Sequence, residues 1–175
     1  MGYAVVVVTA LAVAGCTKSI DCGDATIKMK ENLFKTMIYS LESPSFSIGA
    51  TNEAVVFKYR GLPYPALPET VIVERTQFTN DPDKGKPTPS YLPTKLEIVC
   101  AETNGVPLLA RVLEFSTLTK GAVWPHAMDI PGDGVGLKRT DFDVKIRVLS
   151  PSTRKTDRAY LYTGLSFPNG FPKRQ

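Results

Sequence analysis

The chain has one histidine, His126, and nowhere a Gly-x-Ser-x-Gly turn. A triad hydrolase needs a histidine base beside its nucleophile, whereas His126 follows Val123-Trp124-Pro125, a setting that suits a loop packed on a domain edge. Phosphate-binding loops and dinucleotide fingerprints are missing as well. No enzymatic activity and no cofactor are expected. Carboxylate pairs for glycoside cleavage are the one arrangement left open, because such residues meet only in the fold; Asp141 and Asp143 read as surface charge beside Arg139. A dense basic stripe is absent: the net charge is +4, and basic residues alternate with acidic ones except near Arg154, Lys155 and Arg158 and at Lys173-Arg174. No nucleic-acid partner is expected. His126 and the two cysteines Cys22 and Cys100 are not spaced as a zinc set. The loops 79–89 and 130–136 lack the carboxylate ladder of a calcium site, so no metal is expected.

What is present is an ordinary globular composition, 43% apolar and 22% charged over 175 residues. That length supports one domain with a real core. No internal repeat breaks it up.

The N-terminus carries the most specific signal. No charge occurs between Ala4 and Gly15, about a dozen residues where a spanning helix needs roughly 20. The length is that of a signal-peptide apolar region. The run ends in Val13-Ala14-Gly15-Cys16, an aliphatic residue and two small ones before a cysteine. This resembles the lipobox of bacterial lipoproteins. The resemblance implies cleavage before Cys16, a diacylglycerol on its thiol, and acylation (palmitate-type chains) of the new amino terminus. Thr17-Lys18 follow, with no Asp directly after the cysteine, which resembles the pattern for the outer membrane, facing the periplasm. Only Met1, Gly2 and Tyr3 precede the run, where such signals usually carry Lys or Arg. The alternative reading is a buried N-terminal strand, since Ala4-Val5-Val6-Val7-Val8 is β-branched. The expected organisation is a signal peptide over 1–15, a lipidated tether over 16–23 and one β-rich domain over 24–175.

With Cys16 acylated, Cys22 and Cys100 remain, an even number for an oxidising compartment. A disulfide between them would close a loop of roughly 80 residues, worth about 4 kcal/mol on the chain-entropy model. Two buried thiols are the alternative.

For the fold, the segment 24–42 places Ile27, Leu33, Phe34, Met37, Ile38 and Leu41 near helical spacing, with Asp24 as N-cap and Ser43-Pro44 as the stop. Segments 53–59, 70–78, 95–102, 106–115, 142–149 and 158–166 read as strands. Asn104-Gly105 predicts a tight type I′ hairpin with Cys100 opposite Leu109 and Leu96 opposite Leu113. Val144, Ile146 and Val148 alternate with Lys145 and Arg147, giving one buried face. The expected class is α+β, one N-terminal amphipathic helix packed on an antiparallel β-sheet or small β-sandwich. The stretch 61–69, with prolines at 63, 65 and 68, predicts an extended connection whose Tyr64 and Leu67 are candidates for docking a partner.

Three functions fit these readings. The first is a membrane-anchored lipoprotein serving as a structural or interaction subunit of a cell-envelope assembly, with membrane lipid and an envelope protein as partners. The second is a lipoprotein binding a small ligand or glycan in a cavity. The third is a virion or mobile-element structural protein whose N-terminus stays uncleaved.

Overall fold

The computed structural model describes residues 18–31, 36–51, 54–74, 94–115, 126–132, 137–152, 155, 157–167 and 170–171. The signal segment and Cys16 lie outside these residues. The described chain is built from eleven strands: β1 Lys18–Cys22, β2 Ala25–Glu31, β3 Met37–Glu42, β4 Phe46–Ser47, β5 Val55–Tyr59, β6 Thr70–Glu74, β7 Thr94–Ala101, β8 Pro107–Phe115, β9 His126–Asp129, β10 Phe142–Ser150 and β11 Arg158–Leu165. They form two antiparallel sheets. The larger has the order β1-β2-β3-β11-β6-β9, with β4 also on β11; the smaller has the order β5-β10-β7-β8.

No α-helix occurs among the described residues, so the α+β class is corrected to all-β. The expected helix over 24–42 is instead two paired strands, with Thr26 opposite Glu42, Ile27 opposite Leu41 and Glu31 opposite Met37. The reason is visible in Ala25, Ile27 and Met29, which are buried, and Thr26, Lys28 and Lys30, which are not. Such alternation serves a strand with one wet face. Lys, Met and Glu favour helix in isolation, but pairing on both flanks, with β1 and β3, overrides that preference. Asp24 is no N-cap. It sits in the Gly23-Asp24 turn between β1 and β2, where its N–H donates to Lys58 O and its Oδ2 accepts from Lys58 N–H, both at 2.7 Å. That turn therefore covers one end of the free edge of β5.

Gly23 is the residue this junction demands. Its φ is +74°, and a Cβ there would stand 2.2 Å from Lys58 O. The turn joins the larger sheet to the smaller one through these contacts and a further backbone bond, Arg60 N–H donating to Cys22 O at 3.1 Å.

The inner faces of the two sheets share one core. Ile27, Leu41, Val71 and Leu161 come from the larger sheet, and Leu96, Ile98, Phe142, Val144 and Ile146 from the smaller, each at most 1% exposed. Across the interface the Phe46 and Phe57 rings lie 6.1 Å apart, and within the smaller sheet Tyr59 stacks on Phe142 at 4.6 Å. This is a small β-sandwich. The β7–β8 register is the expected one, Cys100 opposite Leu109 and Leu96 opposite Leu113. The turn differs from the expected type. Gly105 N–H donates to Glu102 O at 2.8 Å and Gly105 has φ +88°, so Thr103, Asn104 and Gly105 form a three-residue loop with a bulge.

Candidate functional site

The outer face of the larger sheet holds a cleft of about 550 Å³ where one strand is interrupted. β3 and β4 run in succession along the same partner, β11, separated by Ser43, Pro44 and Ser45. Pro44 has no N–H to give a ladder. Ser43 bridges the gap: its N–H donates to Leu161 O at 3.0 Å and its Oγ accepts from Leu161 N–H at 2.9 Å. The break leaves an opening floored by Tyr160 and walled by Lys28, Glu42 and Glu74.

Each charged group there already has an internal partner. Lys28 Nζ lies 2.5 Å from Glu42 Oε2, and Ser40 Oγ donates to Glu42 Oε1 at 2.8 Å. Ser45 Oγ donates to Glu74 Oε1. Arg158 donates to Ser45 O at 2.8 Å. Burial, first, and then the nearby Glu42 and Glu74 carboxylates raise the Tyr160 pKa above its ordinary value, which keeps the phenol protonated and able to donate. The cleft is thus a surface of hydroxyls and paired charges suited to hydrogen bonding a polar ligand. Among the described residues no group of three His, Cys, Asp or Glu could hold a metal ion.

The candidates from sequence are distributed elsewhere. Cys16 falls outside the described residues, and the first described strand begins at Lys18, two residues after it. The expected tether over 16–23 is therefore mostly strand β1. Cys22 closes β1, buried, with its Sγ donating to Ile20 O at 4.0 Å. Cys100 lies on the inner face of β7 opposite Leu109 and Val144, where the structure holds it as a thiol. Burial pushes that thiol up to about 12. The proline-rich connection lies on its own domain: Leu62 N–H donates to Thr140 O at 3.1 Å and Ala66 N–H to Arg139 O at 3.0 Å. Leu67 is buried, so only Tyr64, 36% exposed and edge-on to Phe167 at 5.0 Å, is accessible. The side chain of His126 lies outside the described set.

Asp141 and Asp143 are structural. Asp141 Oδ1 accepts from Gly61 N–H at 3.0 Å, and this bond with that from Thr140 lowers the Asp141 pKa. Asp143 pairs with Arg60, whose Nη1 also donates to Tyr59 O and Phe142 O at 2.7 Å. Sequence reasoning missed the cleft because its walls come from β2, β3 and β6, brought together by pairing. Ser43-Pro44 was its one local sign. Compared with protein-family models, characterised proteins and solved structures, the chain matches none.

Proposed function

We propose that this chain is an exported lipoprotein, acylated at Cys16, held at the outer membrane facing the periplasm, and serving as a structural or interaction subunit of a cell-envelope assembly. One observation carries the reading: the uncharged run from Ala4 to Gly15 ends in Val13-Ala14-Gly15-Cys16, an aliphatic residue and two small ones before a cysteine. Two acyl signals on one residue would anchor the domain stably, since each buried methylene adds about 0.8 kcal/mol. Export would also place Cys22 and Cys100 in an oxidising compartment, where their pairing is part of the proposal.

The test is intact mass and membrane fractionation of the full chain expressed in a bacterial envelope, against Cys16→Ser. Loss of residues 1–15 with a gain of acyl mass and sedimentation with membrane, all abolished in the variant, is the expected result. Met1 retained on unacylated, unsedimented protein would refute it. Alkylation with and without reductant on the same samples reads the state of Cys22 and Cys100.

The second reading, a ligand-binding lipoprotein, draws on the cleft beneath Ser43-Pro44. Its polar walls favour a polyhydroxylated ligand such as a glycan over an apolar one. Glycan-array binding lost in Tyr160→Phe would favour this reading.

A further inference from the structure

Strand directions bring one rim of the larger sheet beside the N-terminus of β1. Lys18 stands opposite Met29, Met29 opposite Tyr39, and Tyr39 opposite Leu165, so the start of β1, the end of β2, the start of β3 and the end of β11 lie at one level. Beyond that level the β2–β3 pairing continues through Lys30 opposite Ile38 and Glu31 opposite Met37. Here the apolar side chains emerge from the core: Met37 is 41% and Ile38 46% exposed. They alternate in direction along the strand, so both faces of the rim are apolar at its tip. Beneath it four rings pack together. Tyr39 meets Phe167 at 5.0 Å and Phe171 at 5.2 Å, and Tyr64 meets Phe167 at 5.0 Å. Exposed Lys18 and Lys30 flank the patch.

The chain itself says what covers this rim. From Cys16 to Lys18 is two residues, at most about 7 Å of chain. A lipid on Cys16 therefore holds the membrane within that distance of the Lys18 end of β1. We infer that the rim formed by Met37 and Ile38, with Tyr64 beside it and Lys18 and Lys30 around it, rests in the headgroup region of the bilayer as a second contact that fixes the orientation of the domain. The inference rests on acylation at Cys16. Its chemistry fits that depth: thioether and aliphatic side chains reach the acyl boundary, tyrosine rings sit at the interface, lysines meet lipid phosphates, and the exposed Glu31 opposite Met37 holds the contact at headgroup level. The opposite outer face, on the smaller sheet, carries cross-strand ion pairs of Lys95 with Glu114 and of Arg147 with Glu97 and points to solvent.

The experiment uses the full acylated protein in vesicles of phosphatidylethanolamine and phosphatidylglycerol, with an environment-sensitive fluorophore on Ile38→Cys, on Met37→Cys, or on Val112→Cys as the solvent-facing control. Its acyl mass is verified first. Brominated acyl chains are expected to quench the probes at 37 and 38 about twofold or more and to leave the probe at 112 unchanged. Acylated protein with all three probes in water would overturn the inference alone, since the domain would stand off the membrane. Equal quenching at 38 and 112 would overturn it too, as would a probe at 38 shielded in detergent in proportion to protein concentration, which marks a second copy. Absence of acyl mass would bring down the inference together with the lipoprotein reading.

Discussion

The two sheets of the sandwich do different work. The smaller one, β5-β10-β7-β8, alternates without interruption along β7 and most of β10: Leu96, Ile98 and Cys100 face Val148, Ile146 and Val144 on the inside, and lysine, arginine and glutamate stand outside. The larger sheet departs from regularity in three places. It breaks at Ser43-Pro44, turns back on Gly23 against the other sheet, and carries Met37 and Ile38 into solvent. A regular sheet seals a core, while a break or an overhanging rim costs stability and is kept where the surface meets something else. Both the cleft and the proposed membrane contact belong to the larger sheet.

If the smaller sheet is sealed, its thiol is inert. Thiolate is the reactive form, and Cys100 is raised from 9.0 to about 12 by burial. In reduced Cys22→Ser protein at pH 8, Cys100 should alkylate about a thousandfold more slowly than in urea, at a rate that follows unfolding. Fast native labelling would show that this sheet opens on its own.

The two hairpin glycines sharpen the contrast between the sheets. Gly23→Ala meets both a positive φ and the Lys58 carbonyl, so it should cost about 3 kcal/mol in urea unfolding. Gly105→Ala has the positive φ but nothing within 4 Å of its new carbon, and should cost only about 1 kcal/mol. Equal losses would mean that the turn between β1 and β2 does not tie the sheets together.

Ser43→Ala removes the acceptor of a buried Leu161 N–H and should cost about 2 kcal/mol. Ser43 also hydrogen-bonds Tyr59, whose burial raises its pKa strongly. The folded form of Tyr59 thus holds its proton more tightly than the unfolded one. Its contribution is full below about pH 10 and is lost as pH rises further. Unfolding of wild type and of Ser43→Ala as a function of pH from 8 upward reads both effects. At the other extreme, Glu114→Gln removes an ion pair at 3.0 Å between side chains about half exposed. It should change stability by less than about 0.5 kcal/mol in low salt and by nothing measurable in high salt.

How far the sequence could be read differs along the same lines. The β7–β8 register was legible because Asn104-Gly105 fixes a short loop and Leu96, Ile98 and Cys100 can face only one way. Val144, Ile146 and Val148 were legible for the same reason. Residues 24–42 were misread because Ile27, Leu33, Met37 and Leu41 satisfy a helical period across a window that contains a chain reversal. The shorter Ala25, Ile27, Met29 alternation was the sign that counted. Leu67 looked exposed within a proline-rich loop and is core, because Thr163 Oγ1 donates to Leu67 O at 2.9 Å and the connection lies against β11.

The amino-acid order by itself determined a strand-rich chain, the inner faces of its regular strands and the presence of an N-terminal segment that resembles a lipoprotein signal. These are local properties, set by side-chain alternation, turn residues and the length of an apolar run. Only the tertiary structure decided that 24–42 is a pair of strands, that Glu42 and Glu74 share a cleft, and that Met37 and Ile38 project beside the residue two positions after Cys16. The first depends on β2 pairing with β1 and β3; the shared cleft depends on β11 pairing between β3 and β6, contacts between residues more than 80 positions apart. The partner that brings β3 and β6 into one sheet, β11, is not in the neighbouring sequence of either.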